Sequence, residues 1–255
     1  MLLEGRRLLV TGVLTESSLA SAVVRTALSQ GAQVLLTSPV CRAHRVTSRV
    51  APRLGVEADV LELDVELAAD LEALPQAVRD AGWDGVDGLV HAIAYLGDAQ
   101  PASFAAAPWE AVAPVVQSAA WSMAAVVQAA RPLLTRGSSV VGLTLDPSRA
   151  RAGADWLPVA RAGLEAVVRQ LARELGPDGV RVNLVASGPA RTMLSRALPE
   201  TDELLAEWAA RAPLGWDDER AREAVARTAC ALLSDWLPAT TGEVVHADGG
   251  RHAVE

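Results

Sequence analysis

The chain contains no lysine: all 23 of its Lys/Arg positions are arginine. No Schiff base can form on a lysine side chain, and no lysine can act as an acid or base. Phenols are nearly as scarce, Tyr95 being the only tyrosine, so the proton donors available to a developing oxyanion are few enough to name. The two cysteines, Cys41 and Cys230, stand apart without metal-ligand spacing. No zinc motif is expected, and no structural disulfide in what reads as a cytoplasmic chain. The net charge is −8 and no basic tract carries interleaved aromatics, so nucleic acid is not an expected partner. No apolar run approaches a bilayer span, and the N-terminus lacks a basic segment followed by an apolar stretch and a cleavage site. Neither a membrane nor a secretory signal is expected.

What the chain does have is alternation. Its 255 residues can bury a full core, and 51% of them are hydrophobic. Short apolar runs read as strands at Arg7–Thr11, Gln33–Thr37, Ala58–Leu63, Gly88–Ala92, Ser139–Leu143, Val180–Val185 and Glu243–His246. Between them lie stretches with helical spacing, including Leu67–Asp80, Trp109–Arg131 and Glu219–Leu233. The clearest is Leu157, Ala160, Leu164, Val167, Val168, Leu171 and Leu175, with Asp155 as N-cap, Pro158 in the first turn and Gly176-Pro177 as the stop. Strands alternating with helices predict α/β architecture: a doubly wound parallel sheet flanked by helices, one domain over residues 1–255. Trp121 and Met123 are expected in the core or at a subunit contact.

In such a sheet, ligands bind in the crevice beyond the carboxyl ends of the strands. Thr11-Gly12-Val13-Leu14-Thr15-Glu16-Ser17-Ser18-Leu19-Ala20 leaves the first strand and opens a helix. Its glycine allows close backbone approach, and its helix N-terminus suits a pyrophosphate. The three-glycine fingerprint is missing, so an ordinary strand–turn–helix capped by Ser17 or Ser18 reads equally well. No acidic residue ends the second strand. Arg42 and Arg45 beyond it suit a 2′-phosphate or, more commonly, solvent. Asp64-Val65 suits an adenine edge, while Asp64 also reads as a helix N-cap. Ala92 and Ala94 keep the turn after the fourth strand small. Tyr95 falls at the crevice mouth as a half-buried packing residue or an acid. Ser187-Gly188-Pro189-Ala190-Arg191-Thr192 shapes a pocket wall, with Thr192 in reach of a phosphate, and residues 194–212 read as a lid or a loop with a short helix.

Several strings carry a family resemblance: Leu61-Glu62-Leu63-Asp64-Val65, Asp146-Pro147-Ser148-Arg149-Ala150, Asn183-Leu184-Val185, Gly188-Pro189 with Arg191-Thr192, and Cys230 through Gly242. Across essentially the whole chain they resemble the enoyl-acyl carrier protein reductases of the short-chain dehydrogenase/reductase superfamily, in particular the mycobacterial long-chain type. The resemblance implies a Rossmann-type subunit in a homotetramer that binds NADH and acts on an enoyl thioester. It places Gly12, Leu14, Ser18 and Leu19 at the pyrophosphate and Asp64 and Val65 at the adenine. Ala92, Ala94 and Leu143 would line the ribose and nicotinamide, with Gly188, Pro189, Ala190 and Thr192 wrapped around nicotinamide and phosphates.

The same resemblance maps the family's tyrosine to Ala154, its lysine to Arg161 and its aromatic residue near the nicotinamide to Leu145. A methyl group neither donates a proton nor stabilises an oxyanion. Arg161 keeps the charge and can donate to ribose oxygens, though with a planar fork. The expected catalytic pair is then Tyr95 and Arg161. The loop over residues 193–215 is shorter than in the long-chain enzymes, which implies a compact substrate. Two other readings stand beside enoyl-type reduction: non-redox biosynthetic chemistry of cyclase or lyase type, with the cofactor idle or absent, and a non-catalytic cofactor-binding homologue.

Overall fold

A computed structural model describes residues 1–39, 42–95, 103–150, 156–193, 195 and 201–254. Seven parallel strands form one sheet in the order β3-β2-β1-β4-β5-β6-β7. They are β1 (Arg7–Val10), β2 (Gln33–Ser38), β3 (Leu61–Glu62), β4 (Val86–His91), β5 (Leu134–Thr144), β6 (Arg181–Ser187) and β7 (Val244–Ala247). The helices are α1 (Leu19–Ser29), α2 (Arg42–Leu54), α3 (Ala68–Asp80), α4 (Trp109–Val116), α5 (Ser122–Ala130), α6 (Leu157–Leu175), α7 (Thr201–Arg211) and α8 (Asp218–Leu233). The doubly wound α/β fold expected from the alternation is the one found.

Side chains on a strand alternate between its faces, and here both faces are apolar. Leu8, Val10, Leu36, Val141 and Val185 pack into one core with Val23, Val24 and Ala27 of α1 and Val225, Ala229 and Leu232 of α8. Leu9, Leu35, Leu89, Val140 and Leu184 pack into the other with Leu74, Val78, Met123, Val126, Leu164 and Val168. Burial on both sides is why the strands read as continuous apolar runs. All seven residues of β6 are buried.

Three expectations need revision. The third strand is two residues long, not six, because it is the sheet edge and Glu57, Ala58 and Asp59 are exposed. Asp64 does not cap α3: it accepts from the Glu66 amide at 2.9 Å, while Leu67 holds the N-cap position without a side-chain bond and Asp70 reaches back to the Asp64 amide at 2.7 Å. Finally, the helical stretch Trp109–Leu133 has the length and apolarity of a membrane span. Its Val112, Val115, Ala119, Met123, Val126, Val127, Ala130 and Leu133 are buried in the protein, as in a core helix. Trp121 on the same stretch is half exposed. Asp155, the predicted cap of α6, lies outside the described residues, and Trp156 occupies the N-cap position.

Candidate functional site

Because every strand runs the same way, the ends at Val10, His91, Thr144 and Ser187 share one edge of the sheet. The chain winds outward in one direction from β1 to β2 and β3, and in the other from β4 to β7. The switch point lies between β1 and β4, the place at which sheets of this kind take their ligands. Gly12 sits there with φ +79°, and a Cβ on it would stand 2.1 Å from the Ala92 carbonyl oxygen. Only glycine lets the two strand exits approach so closely.

The turn after Gly12 is held by hydroxyls. Ser18 caps α1, its Oγ accepting from the Ser21 amide at 3.1 Å, and the Ser21 hydroxyl donates to the Thr15 carbonyl at 2.6 Å. Of the two serines proposed for the cap, Ser18 takes it. The amides of Leu19 and Ala20 fall in the first turn, where no intrahelical acceptor exists, and no acidic side chain lies in that turn. Glu16 is the one carboxylate on the turn. It pairs with Arg53 at 2.9 Å and Arg25 at 3.2 Å, and the Arg53 guanidinium, ahead of other causes, holds its carboxyl below the usual range. The turn therefore fits an anion: the amides are available and the neighbouring negative charge is neutralised.

Across the switch point the floor is polar and buried. Arg161, from the second turn of α6, is 6% exposed. Its Nη1 donates to the Leu143 carbonyl at 3.2 Å and the Ala119 carbonyl at 3.5 Å, and its Nη2 donates to the Ile93 carbonyl at 3.4 Å. One guanidinium thus ties the exits of β4 and β5 to the helix packed beneath them. Among the described residues no carboxylate pairs with it, and burial lowers its pKa to about 10, so it stays charged at neutral pH. Ala119 can accept because the helix widens there: Gln117–Trp121 forms a π-turn, a distortion common at functional sites.

His91, at the tip of β4, is fully buried. The Ser122 hydroxyl donates to the Ser118 carbonyl at 2.6 Å, so its oxygen accepts from His91 Nε2 at 2.8 Å. This assigns the proton to Nε2. Burial, followed by the charge of Arg161, lowers the imidazole pKa to about 3. Nothing in the sequence singled out His91, Ser118 or Ser122; a histidine closing an apolar strand above two serines four residues apart on a helix was the available signal.

The far wall is the loop after β6. Gly188 packs against two indoles, and a Cβ there would come within 2.7 Å of both Trp208 and Trp216. Trp216 Nε1 donates to the Pro189 carbonyl at 2.8 Å. Ser195 Oγ donates to the Ala190 carbonyl at 2.7 Å and accepts from the Thr192 amide at 2.8 Å. Trp208 and Trp216 hold this wall in place.

Leu14, Ser18, Leu19, Ala92, Ala94, Pro189 and Thr192 are partly exposed, whereas Leu143 and Ala190 are buried. Asp64 is half-buried and Val65 buried beyond β3, at the adjoining sheet edge. Tyr95 follows the tip of β4 and is half-buried. Arg45 is exposed on α2. Cys230 is buried, and burial pushes its thiol up to about 12. Ala154, Cys41 and the side chain of Arg42 lie outside the described residues.

A parallel sheet in this order, with a glycine exit and a capped helix at its switch point, defines the Rossmann-type class of α/β proteins. The sequence profile described as "Enoyl-(Acyl carrier protein) reductase" matches residues 12–252. A protein named enoyl-acyl-carrier-protein reductase (NADH) from Mycolicibacterium smegmatis is 41% identical over 98% of this chain and 97% of its own length. One of the same name from Mycobacterium avium is 43% identical over the same shares, and one from Neisseria meningitidis is 34% identical over 97% and 95%. The chain belongs to the enoyl-(acyl carrier protein) reductase family.

Proposed function

We propose that this protein binds NADH and reduces the conjugated double bond of an enoyl thioester, or of a related conjugated carbonyl, through an atypical active site. The observation that carries the reading is the anion-ready turn at the switch point, in a chain whose whole-length relatives are named NADH-dependent enoyl reductases. Gly12, Leu14, Ser18 and Leu19 hold the pyrophosphate, and Asp64 and Val65 hold the adenine. Ala92, Ala94 and Leu143 line the ribose and nicotinamide; Gly188, Pro189, Ala190 and Thr192 close over them. NADH supplies the hydride.

When hydride reaches the β-carbon, negative charge develops on the thioester oxygen. Ala154, where the family carries its tyrosine, offers no donor. Tyr95 supplies the proton. Arg161, anchored to the exits of β4 and β5, contributes its charge from beneath the site and keeps the two exits in register. Proximity and orientation supply most of the remaining acceleration. The shortened loop at 193–215 selects a compact acyl group.

The test is NADH oxidation with short and long enoyl thioesters, beside a direct NADH titration by fluorescence. Turnover that favours the short substrates supports the reading; NADH binding with no turnover on any of them overturns its reductase half. Loss of one oxyanion donor costs roughly 10²–10³ in rate, so Ala154→Tyr is expected to raise turnover by about 10².

One observation favours a second reading. The donors of Arg161 go to main-chain carbonyls, which leaves less of the guanidinium for a ribose. A protein with no measurable NADH affinity would belong to non-redox chemistry on the same scaffold. One that binds NADH but turns over no enoyl thioester would be a cofactor-binding homologue.

A further inference from the structure

Arg222, on the second turn of α8, reaches both sides of the crevice with its guanidinium. Nε donates to the Ser17 carbonyl at 3.2 Å, in the turn before α1. Nη2 donates to the Arg191 carbonyl at 3.0 Å, in the loop after β6. Nη1 returns to the Asp218 carbonyl of its own helix at 2.9 Å. Ser17 and Arg191 lie 174 residues apart in sequence, and one rigid fork spans their carbonyls.

The same helix end holds the β6 loop a second way. Asp218 accepts from the Arg191 amide at 2.6 Å, and the Arg191 guanidinium bridges Asp218 at 3.5 Å and Asp202 at 2.7 Å. Asp202 stands in the first turn of α7, the helix within the predicted lid. Beneath the contact, Ala190, Trp208, Trp216 and Ala221 form an apolar cluster against which Leu19 packs. The β1–α1 turn, the β6 loop and α7 therefore meet at a single anchor, the N-terminal end of α8.

We propose that Arg222 is a positioning residue that couples the two loops gripping the dinucleotide: by bonding both carbonyls it sets their separation, so that neither loosens alone. This rests on the NADH reading above, and it adds a residue that touches neither cofactor nor substrate. A ligand held between two loops is bound in proportion to how well both are pre-ordered. A lysine offers three rotatable donors but no fixed fork, so it restores part of the coupling.

The test compares Arg222→Met and Arg222→Lys with Arg227→Met, a control on the exposed face of the same helix whose arginine pairs only with Glu223 at 2.6 Å among the described residues. Amide hydrogen exchange in the unliganded chain is the first readout. Arg222→Met should speed exchange in residues 13–20 and 188–193 together; acceleration in one segment only, or in neither, overturns the coupling. The second readout is NADH binding and steady-state kinetics. Arg222→Met should raise the Kd and KM for NADH about tenfold and lower kcat far less, because misplacing a binding group costs affinity before chemistry. Arg222→Lys should fall between parent and Met variant. An unchanged NADH Kd in a folded Arg222→Met protein overturns the proposal, as does an equal loss in the Arg227→Met control. If the parent chain itself binds no NADH, the cofactor reading fails and takes the ligand half of this proposal with it, while the exchange readout still decides whether the two loops are coupled.

Discussion

Burial holds the His91 imidazole neutral, and this has a consequence for pH. Its pKa is about 3 in the folded chain against an ordinary 6.5, so between those values the unfolded chain binds the extra proton. Stability from this group is fully present above pH 6.5 and is lost as pH falls towards 3, by up to about 1.4 kcal/mol per pH unit. His91→Gln keeps a donor towards Ser122 and removes the titration. Urea unfolding measured from pH 7 to pH 4 is expected to show a flatter acid limb for this variant than for the parent chain; parallel limbs would contradict the assignment. Arg161 behaves differently. With a pKa of about 10 it remains a cation across that whole range, so its field on the crevice is constant while His91 is silent. The family resemblance maps a lysine onto Arg161. It does not find the three carbonyls that receive its donors, because a carbonyl's position is set by backbone register and leaves no mark on side-chain identity.

At the scale of elements, helix periodicity and turn residues were legible. The long helix from Leu157 to Leu175, its Gly176-Pro177 stop and the α1 cap at Ser18 or Ser17 all follow from local spacing and capping chemistry. The π-turn at Gln117–Trp121 does not, since it lies where the helix meets His91 and Arg161 of other elements. Nor does the shortness of β3, which depends on its place at the sheet edge. The cap at Ser18 yields a test. Ser18→Ala removes the acceptor for the Ser21 amide and is expected to cost ~1 kcal/mol of stability, seen as a lower denaturant midpoint with unchanged slope. It should also weaken NADH binding, since the first-turn amides are then less firmly aimed. Lost stability with full affinity would separate the cap from the anion site.

At the scale of the whole molecule, both faces of the sheet are covered by helices, yet large apolar side chains remain outside. Trp109 is 67% exposed, Trp121 49% and Val159 43%, on α4, the π-turn and α6. Contiguous exposed apolar surface marks interaction faces, and these side chains stand on elements that pack against one another, so they are the ones a subunit contact would cover. The expected outcome is that the purified chain assembles as a homotetramer and elutes with about four times the chain mass by light scattering. Trp121→Glu, which places a charge on that surface, is expected to shift the mass towards smaller species while helix content stays as in the parent. A monomeric parent chain would show that these tryptophans serve something else.

By itself the sequence determined the α/β alternation, the parallel sheet and the family, because periodicity, punctuation and matched strings are local properties that survive without coordinates. Only the tertiary structure decided where the charges go. Arg161 and Arg222 spend their donors on backbone carbonyls of distant segments, and Asp64 turns to an amide two residues on instead of capping α3. A side chain's chemistry is written in its identity, but its partner is chosen by which segments the fold brings within about 3 Å of it.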